Sequence, residues 1–257
     1  MPYKSVLIIS DNERISTELA TILGEQPRLE GRTIRFGCHP DNKALVGKRV
    51  GGYVFEKIDL KHQLAEIIQS CDLVISAHCK QIFPEALVRA CKCINVHPGH
   101  NPHNRGWYPQ VFSILNGLPF GATIHEIDEQ LDHGHIIDRE TLGIESSDSS
   151  LTAYNKVLDL EVLLLRRSLP AILSGTYRSF APEEEGNLNL KRDFNALREI
   201  RLDEVLTFGE AILRLRALSH PPFKNAFYVD PQTGDRVWVT LELESEAKGS
   251  AAPEPQL

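Results

Sequence analysis

Three short apolar runs constrain the fold of this chain more than any other feature: Ser5 to Ser10 (SVLIIS), Asp72 to Ala77 (DLVISA) and Cys93 to His97 (CINVH). Each is continuous rather than alternating and has the length of a strand, as expected for strands covered on both faces of a sheet. Between them the apolar spacing turns helical. Asp11 is placed to cap a helix carrying Ile15, Leu19, Ile22 and Leu23 on one face, and His62 to Ser70 repeats the pattern with Leu64, Ile67 and Ile68. Arg32 to Cys38 and Tyr53 to Phe55 read as further strands, and Pro84 opens a short helix through Lys92. Strands alternating with helices predict βαβ units and a largely parallel sheet. No G-x-G-x-x-G follows the first strand, which leaves a dinucleotide cofactor with little support.

Further along, Trp107 to Asn116 reads as a helix and Phe120 to Ile127 as a strand. A polar loop from Asp128 to Gly134 then leads into a strand from His135 to Ile144. A serine cluster at 146–150 precedes a long helical pattern reaching about Ser174, with Pro170 expected to kink or tighten its last turn. Pro182 to Asn189, acidic and glycine-containing, reads as a linker in which Glu183, Glu184 and Glu185 are solvated. Thr207-x-x-Glu210 is a capping box opening a helix to about Leu218. Asn225 to Val229 and Arg236 to Leu243 flank the turn Pro231-Gln232-Thr233-Gly234, which predicts a hairpin. Its apolar face (Val237, Val239, Leu241, Leu243) is larger than a lone ribbon can hide, so it should pack on the main body or on a second copy.

Composition narrows the function classes. A net charge of −7 argues against non-specific polyanion binding across the whole surface, though not against a local basic pocket, and nucleic acid is not expected as a partner. No apolar run approaches the roughly 20 residues of a membrane span, and no basic-then-apolar leader opens the chain. The five cysteines (Cys38, Cys71, Cys79, Cys91, Cys93) are odd in number and lie in apolar surroundings, as free thiols in a reducing compartment do. Cys91-x-Cys93 is too tight for a zinc site, and His133-Gly134-His135 lacks a third ligand. The expectation is a soluble cytoplasmic protein without a metal.

Chemistry enters at Cys93 to Pro102. Strand alternation puts Asn95 and His97 on one face, where the strand gives way to a Pro98-Gly99 turn. In open α/β sheets ligands bind at that edge, although a polar strand end can also simply cap the following turn. Asp132, in the loop Leu131-Asp132-His133-Gly134, precedes a strand that can lie beside this one. An amide, an imidazole and a carboxylate converging at a sheet edge suit acyl-type transfer. The imidazole would relay protons, the carboxylate would orient it, and the amide N–H would donate to the oxygen that turns negative in a tetrahedral intermediate. No serine or cysteine stands out as a nucleophile, so the attacking group should belong to the substrate.

Asn95-x-His97-Pro98 followed by Leu131-Asp132-x-Gly134 resembles the folate-dependent formyltransferase family, closely over Asp72 to Ile144 and loosely over the first strands. The resemblance implies a Rossmann-like catalytic domain using 10-formyltetrahydrofolate, with Asn95, His97 and Asp132 as its catalytic residues. Cys79 to Pro84 matches the family's folate-lining segment, which makes Lys80, Gln81, Ile82 and Phe83 candidate contacts. The loop holding Ile127, Asp128 and Leu131 would add backbone contacts to the pterin. Asn101-Pro102-x-Asn104-Arg105-Gly106-Trp107 departs from the leucine-proline loop of the purine and tRNA enzymes. It is similar instead to the branch that formylates dTDP-linked amino sugars, such as dTDP-4-amino-4,6-dideoxyglucose, for surface polysaccharides. That branch makes Asn101 and Asn104 candidate substrate contacts. Arg105 and Lys224 become candidate pyrophosphate ligands, unless each is a solvated surface charge. Trp107 and Tyr108 would line the sugar or base site, or else pack the start of the next helix. His220, Phe223 and Asn225 belong to a rigid turn similar to a segment near the sugar nucleotide.

The expected architecture is therefore a Rossmann-like, mainly parallel α/β domain over residues 1–180, a small helix-plus-hairpin domain over 181–244, and a disordered tail over 245–257. A homodimer is expected, as related enzymes are often dimers. Formylation of methionyl-tRNA is the rival activity, disfavoured by the acidic charge. An idle folate or sugar-nucleotide binder is the non-enzymatic rival, disfavoured by the intact Asn/His/Asp set.

Overall fold

A computed structural model describes residues 3–26 and 31–246, so the tail expected over 245–257 lies outside the described residues from 247 onward. The chain begins with β1 (Ser5–Ile9), α1 (Glu13–Gly24), β2 (Thr33–Cys38), β3 (Arg49–Val50) and β4 (Tyr53–Lys57). It continues through α2 (Leu64–Ser70), β5 (Leu73–Ala77), α3 (Glu85–Ala90) and β6 (Lys92–His97). Next come β7 (Arg105–Gly106), α4 (Pro109–Asn116), β8 (Phe120–Glu126), β9 (Ile136–Leu142) and α5 (Ser150–Ser174). The C-terminal part holds β10 (Leu188–Asn189), α6 (Lys191–Arg198), α7 (Phe208–Leu218), β11 (Ala226–Val229) and β12 (Arg236–Val239).

Eight strands form one sheet in the order β3-β4-β2-β1-β5-β6-β8-β9. From β4 to β6 all neighbours run parallel; β6 to β8 and β8 to β9 are antiparallel. The continuous apolar runs explain why helices cover both faces. Leu7, Ile9, Val74 and Cys93 meet Ile67 of α2 and Leu87 of α3 in one core. Val6, Ile8, Ile75, Ile94 and Val96 meet Leu19 and Ile22 of α1 and Val157 and Leu164 of α5 in the other. Alternation along each strand deals its residues between the two. Phe194 of α6, Ala217 and Leu218 of α7, and Ala226 of β11 belong to the second of these cores, so the C-terminal elements do not build a core of their own.

Some local expectations change. Asn12, not Asp11, caps α1, its Oδ1 accepting from the Ile15 N–H at 3.1 Å. Glu13 is the first helical residue, and only the side chain immediately before it reaches the free N–H groups of the first turn. Asp11 instead accepts from the backbone N–H of His39 (2.9 Å) and Lys80 (3.0 Å), tying together the segments after β2 and β5. α5 runs through Pro170 and stops at Gly175, which takes a left-handed φ of 67°. The hairpin forms at the expected turn but is shorter than expected, with Phe227 and Trp238 directly opposed and their rings 5.2 Å apart. Val239 packs on the main core, so part of the hairpin's apolar face is covered within the chain.

The segment read as a linker is the larger departure. Leu188 and Asn189 pair in parallel with Arg105 and Gly106, laying the segment along the loop that follows β6. Gly186 passes the backbone at Pro102 so closely, with φ +68°, that a Cβ there would lie 2.0 Å from the Pro102 carbonyl oxygen. Two residues of backbone pairing need no hydrophobic pattern, which is why nothing in the polar sequence announces it. α6 also follows unannounced, because Phe194 is its one buried side chain.

Candidate active site

β6 is where parallel pairing ends. Its neighbour on one flank is β5, with Ser76 beside Asn95; on the other flank β8 runs antiparallel, with His125 beside Asn95 and Thr123 beside His97. Asn95 and His97 share the face of β6 that carries Cys93. The chain then leaves the sheet at Pro98, and Asp132 reaches back from the connection between β8 and β9.

These three residues come together. Asn95 Nδ2 donates to Asp132 Oδ1 at 2.9 Å, and His97 Nδ1 lies 3.6 Å from Asp132 Oδ2. The Gly106 N–H donates to the same Oδ2 at 3.0 Å, and Asn101 Nδ2 donates to the Asp132 carbonyl at 2.8 Å. Asp132 itself holds a left-handed φ of 49°. His125, which was not singled out in the sequence, is the fourth member. Its Nδ1 lies 2.7 Å from the Glu126 carbonyl, which can only accept, so Nε2 is left to accept the second N–H of Asn95 at 3.2 Å. Only the β6–β8 register could have found it.

Burial sets the electrostatics. It pushes the His97 imidazole pKa down, with Asp132 opposing, so His97 is neutral at pH 7 and able to take a proton. Burial alone would raise the Asp132 carboxyl. The neighbouring His97 and His125 and the Gly106 N–H overcome it and hold Asp132 well below the usual carboxylate range. His97 Nε2 is buried and finds no partner among the described residues. A Cβ on Gly99 would lie 2.4 Å from it, so the absent side chain leaves the space beside Nε2 through which an amine can approach. Both N–H bonds of Asn95 are engaged. Donation to a substrate oxygen requires Asn95 to release His125, the longer of its two contacts.

The folate-side candidates divide. Gln81 spends its amide on the fold, accepting from the Leu60 N–H at 2.9 Å and donating to the Ile58 carbonyl at 2.8 Å. Lys80 is exposed, and its backbone N–H is bound to Asp11. Ile82 is 88% exposed, while Phe83 and Ile127 pack on the core beside Leu87 and Cys93. Leu131 is exposed, and Asp128 binds His133 Nδ1 at 2.7 Å. Ile82 and Leu131 thus present exposed apolar side chains, whereas the Gln81 amide is not free to bind a ligand. Among the described residues no group of three or more His, Cys, Asp or Glu is placed to hold a metal ion.

The substrate-side candidates are held more firmly than their sequence suggests. Asn101 supports the Asp132 loop. Asn104, buried, donates to Ser113 Oγ at 2.9 Å and accepts from Asn187 and Asn116, both at 2.8 Å. Arg105 is buried rather than solvated, its Nη2 donating to Glu185 at 2.7 Å. Glu185 also lies 3.5 Å from His133, and Glu184 3.3 Å from His103. The acidic segment is exposed, as expected, but Glu184 and Glu185 also tie it to the loops around Asp132. Lys191 sits 3.8 Å over the Trp107 ring, and Tyr108 packs at 4.1 Å on Phe194. His220 Nδ1 lies 3.0 Å from Ser150 Oγ. Phe223 and Lys224 are exposed, the Lys224 carbonyl accepts from Arg198, and Asn225 donates to the Leu218 carbonyl. These contacts tie the turn to α5, α6 and α7 rather than to Asp132.

Comparison with known proteins adds a second line of observation. Residues 9–169 match the formyl transferase family, and residues 193–245 match the N-formyltransferase dimerization C-terminal domain. The dTDP-4-amino-4,6-dideoxyglucose formyltransferase of Mycobacterium tuberculosis is 50% identical over 195 residues, 76% of this chain and 83% of that protein. A 4-N formyltransferase from Francisella tularensis superposes with a TM-score of 0.88 at 40% identity, covering 95% of this chain and 99% of that one. Methionyl-tRNA formyltransferase of Listeria monocytogenes is more distant, 26% identical over 236 residues, 90% of this chain and 74% of that protein.

Proposed function

The chain belongs to the formyl transferase family, and from that premise we propose that it transfers the formyl group of 10-formyltetrahydrofolate to the amine of dTDP-4-amino-4,6-dideoxyglucose. The observation that carries the reading is the convergence of Asn95, His97 and Asp132: an amide donor, a proton acceptor and its orienting carboxylate. The likeness to the mycobacterial sugar enzyme supports the choice of acceptor. The folate supplies an activated one-carbon acyl group. Ile82, Phe83, Ile127 and Leu131 would hold its ring.

His97 Nε2 would accept the proton that the amine sheds as its lone pair closes on the formyl carbon, and would return a proton to the departing nitrogen. Asp132 would keep Nδ1 protonated and stabilise the imidazolium. Asn95 would donate to the oxygen on which charge develops. Arg105 meets the substrate diphosphate only by exchanging its Glu185 partner.

The test is a mass-spectrometric formylation assay over dTDP- and UDP-linked sugars carrying the amine at carbon 3 or carbon 4. Gain of one formyl group by dTDP-4-amino-4,6-dideoxyglucose is expected to be fastest. No turnover of any member would end the proposal, and preference for a 3-amino sugar would move the acceptor.

The site would work in a homodimer. Val205 (95% exposed) and Phe208 (89%), with Leu202 and Ile212, are exposed apolar side chains within the region matching the dimerization domain, and a second copy would cover them. Light scattering should give twice the chain mass, and Phe208→Asp should shift it to one chain. A strictly monomeric parent protein would refute the dimer. Among the described residues no helix is long and apolar enough to cross a membrane. We further propose that the enzyme works in the cytoplasm, supplying a formamido sugar in the activated form used to build surface polysaccharides.

A further inference from the structure

One buried carboxylate has no part in the reaction as drawn above. Glu161 of α5 has a side chain 0% exposed, and its Oε2 lies 2.7 Å from His78 Nε2. Its Oε1 is buried without a partner among the described residues. His78 is the residue directly after β5 and holds a left-handed φ of 63°. β5 and β6 pair with Ser76 beside Asn95 and Ala77 beside Val96, so His78 leaves the end of β5 at the level where His97 closes β6, and His78 and Glu161 are among the charges that act on the His97 ring. His97 is thereby flanked twice. Asp132 and His125 stand on its β8 side, and His78 with Glu161 on its β5 side.

The hydrogen-bond directions in this second cluster follow from its outer end. Asn12 Nδ2 can only donate, and it lies 3.2 Å from the Tyr154 hydroxyl oxygen. The hydroxyl proton is then free for His78 Nδ1 at 3.3 Å, which makes Nε2 the protonated nitrogen facing Glu161. Burial, with Glu161 adding to it, pushes the Tyr154 phenol up to about 12, so it remains a donor. The chain Asn12–Tyr154–His78–Glu161 thus ends in a buried carboxylate with His78 as its one hydrogen-bond partner among the described residues. As a stabilising device that is poor, since an apolar residue of similar volume usually serves a core as well or better. Its place beside His97 gives it another use.

We propose that Glu161, held by His78, is a positioning residue for formyl transfer: a fixed negative charge on the β5 flank of His97 that works with Asp132 on the β8 flank to stabilise the imidazolium formed when His97 takes the amine proton. This rests on the reading of His97 as the proton acceptor. One proton moves, from the substrate nitrogen to His97 Nε2, as the nitrogen lone pair closes the N–C bond; Glu161 exchanges nothing. The groups that face His97 are Asp132 and His125 from the β8 side, His78 from β5 and Glu161 from α5. The two carboxylates raise its proton affinity, and the two histidines lower it.

The test is the 15N titration of the His97 ring in the full chain, with kcat measured alongside. Glu161→Gln should lower the protonation midpoint of His97 by about one pH unit. It should lower kcat about 3- to 10-fold, following the weaker base, with KM unchanged. Glu161→Asp, which keeps the charge, should return the midpoint toward that of the parent. An unchanged midpoint in folded Glu161→Gln, or an equal shift in Glu161→Asp, would overturn the proposal and leave Glu161 a purely structural residue. Should Glu161→Gln not fold, Glu161→Met removes the charge at similar length, and the same midpoint decides. Failure of the catalytic reading looks different: His97→Asn would retain turnover while Glu161→Gln still shifted the His97 titration.

Discussion

Asp132→Asn is expected to lower kcat by about 10²- to 10⁴-fold, the range for losing a group that holds a catalytic base in its productive state. The geometry gives the reason. Asp132 accepts at both oxygens, from Asn95 Nδ2 at 2.9 Å and from the Gly106 N–H at 3.0 Å. An asparagine of either orientation must turn its NH₂ toward one of these donors. One contact becomes repulsive, and the loop that carries Asp132 or the amide of Asn95 has to give way. The charge is lost as well. Asp132 raises the proton affinity of His97 against the effect of burial, so the acidic limb of the rate profile should move to lower pH as the plateau falls. Turnover in the formylation assay checks the size of the effect, and circular dichroism checks that the fold is kept. A folded variant with more than about a tenth of the parent turnover would remove Asp132 from the catalytic set.

Gly99→Ala should cost about as much as a misplacement of the base by an ångström, roughly 10²-fold in kcat. The new Cβ would lie 2.4 Å from His97 Nε2, 2.8 Å from its Cδ2 and 3.1 Å from Pro109 Cβ. Gly99 does not hold a left-handed φ, so alanine is acceptable to the backbone itself. The penalty is therefore one of space beside the imidazole. The ring is buried and flanked on both sides, and it can yield only by leaving Asp132. Near-parent kcat in Gly99→Ala would show that the space beside Nε2 is not where the amine arrives, and would redirect the mechanism to the other face of the ring.

The parts of the molecule that were legible in the sequence share a property: their signal is local and repeated. β1, β5 and β6 were visible because each is a run of apolar residues that a two-sided burial requires, and α7 because Thr207 and Glu210 spell its cap. The meeting of Asn95, His97 and Asp132 was legible because strand alternation fixes two of them and the loop motif supplies the third. What the sequence hid depends on contacts between distant residues. Gln81 and Asn104 carry polar side chains of the kind that bind ligands, and both are spent inside the fold on partners that no spacing rule identifies. His125 and His78 matter through strand register, which a single sequence does not state. Arg105 was weighed as a surface charge because its cover, the segment around Glu185, lies 80 residues further on.

That last separation has a consequence in time. The loop carrying Asn104 to Gly106 is closed by Asn187 to Asn189, and Gly106 in turn supplies a hydrogen bond to Asp132. A ribosome adds about 5–20 residues per second, so several seconds pass between the emergence of the loop and that of the segment that closes it. For most of that interval the nascent chain already contains Asn95, His97 and Asp132, yet lacks the segment that closes the loop beside them. Competence is therefore acquired late in synthesis, and it arrives together with the C-terminal elements rather than with the strand that bears the chemistry.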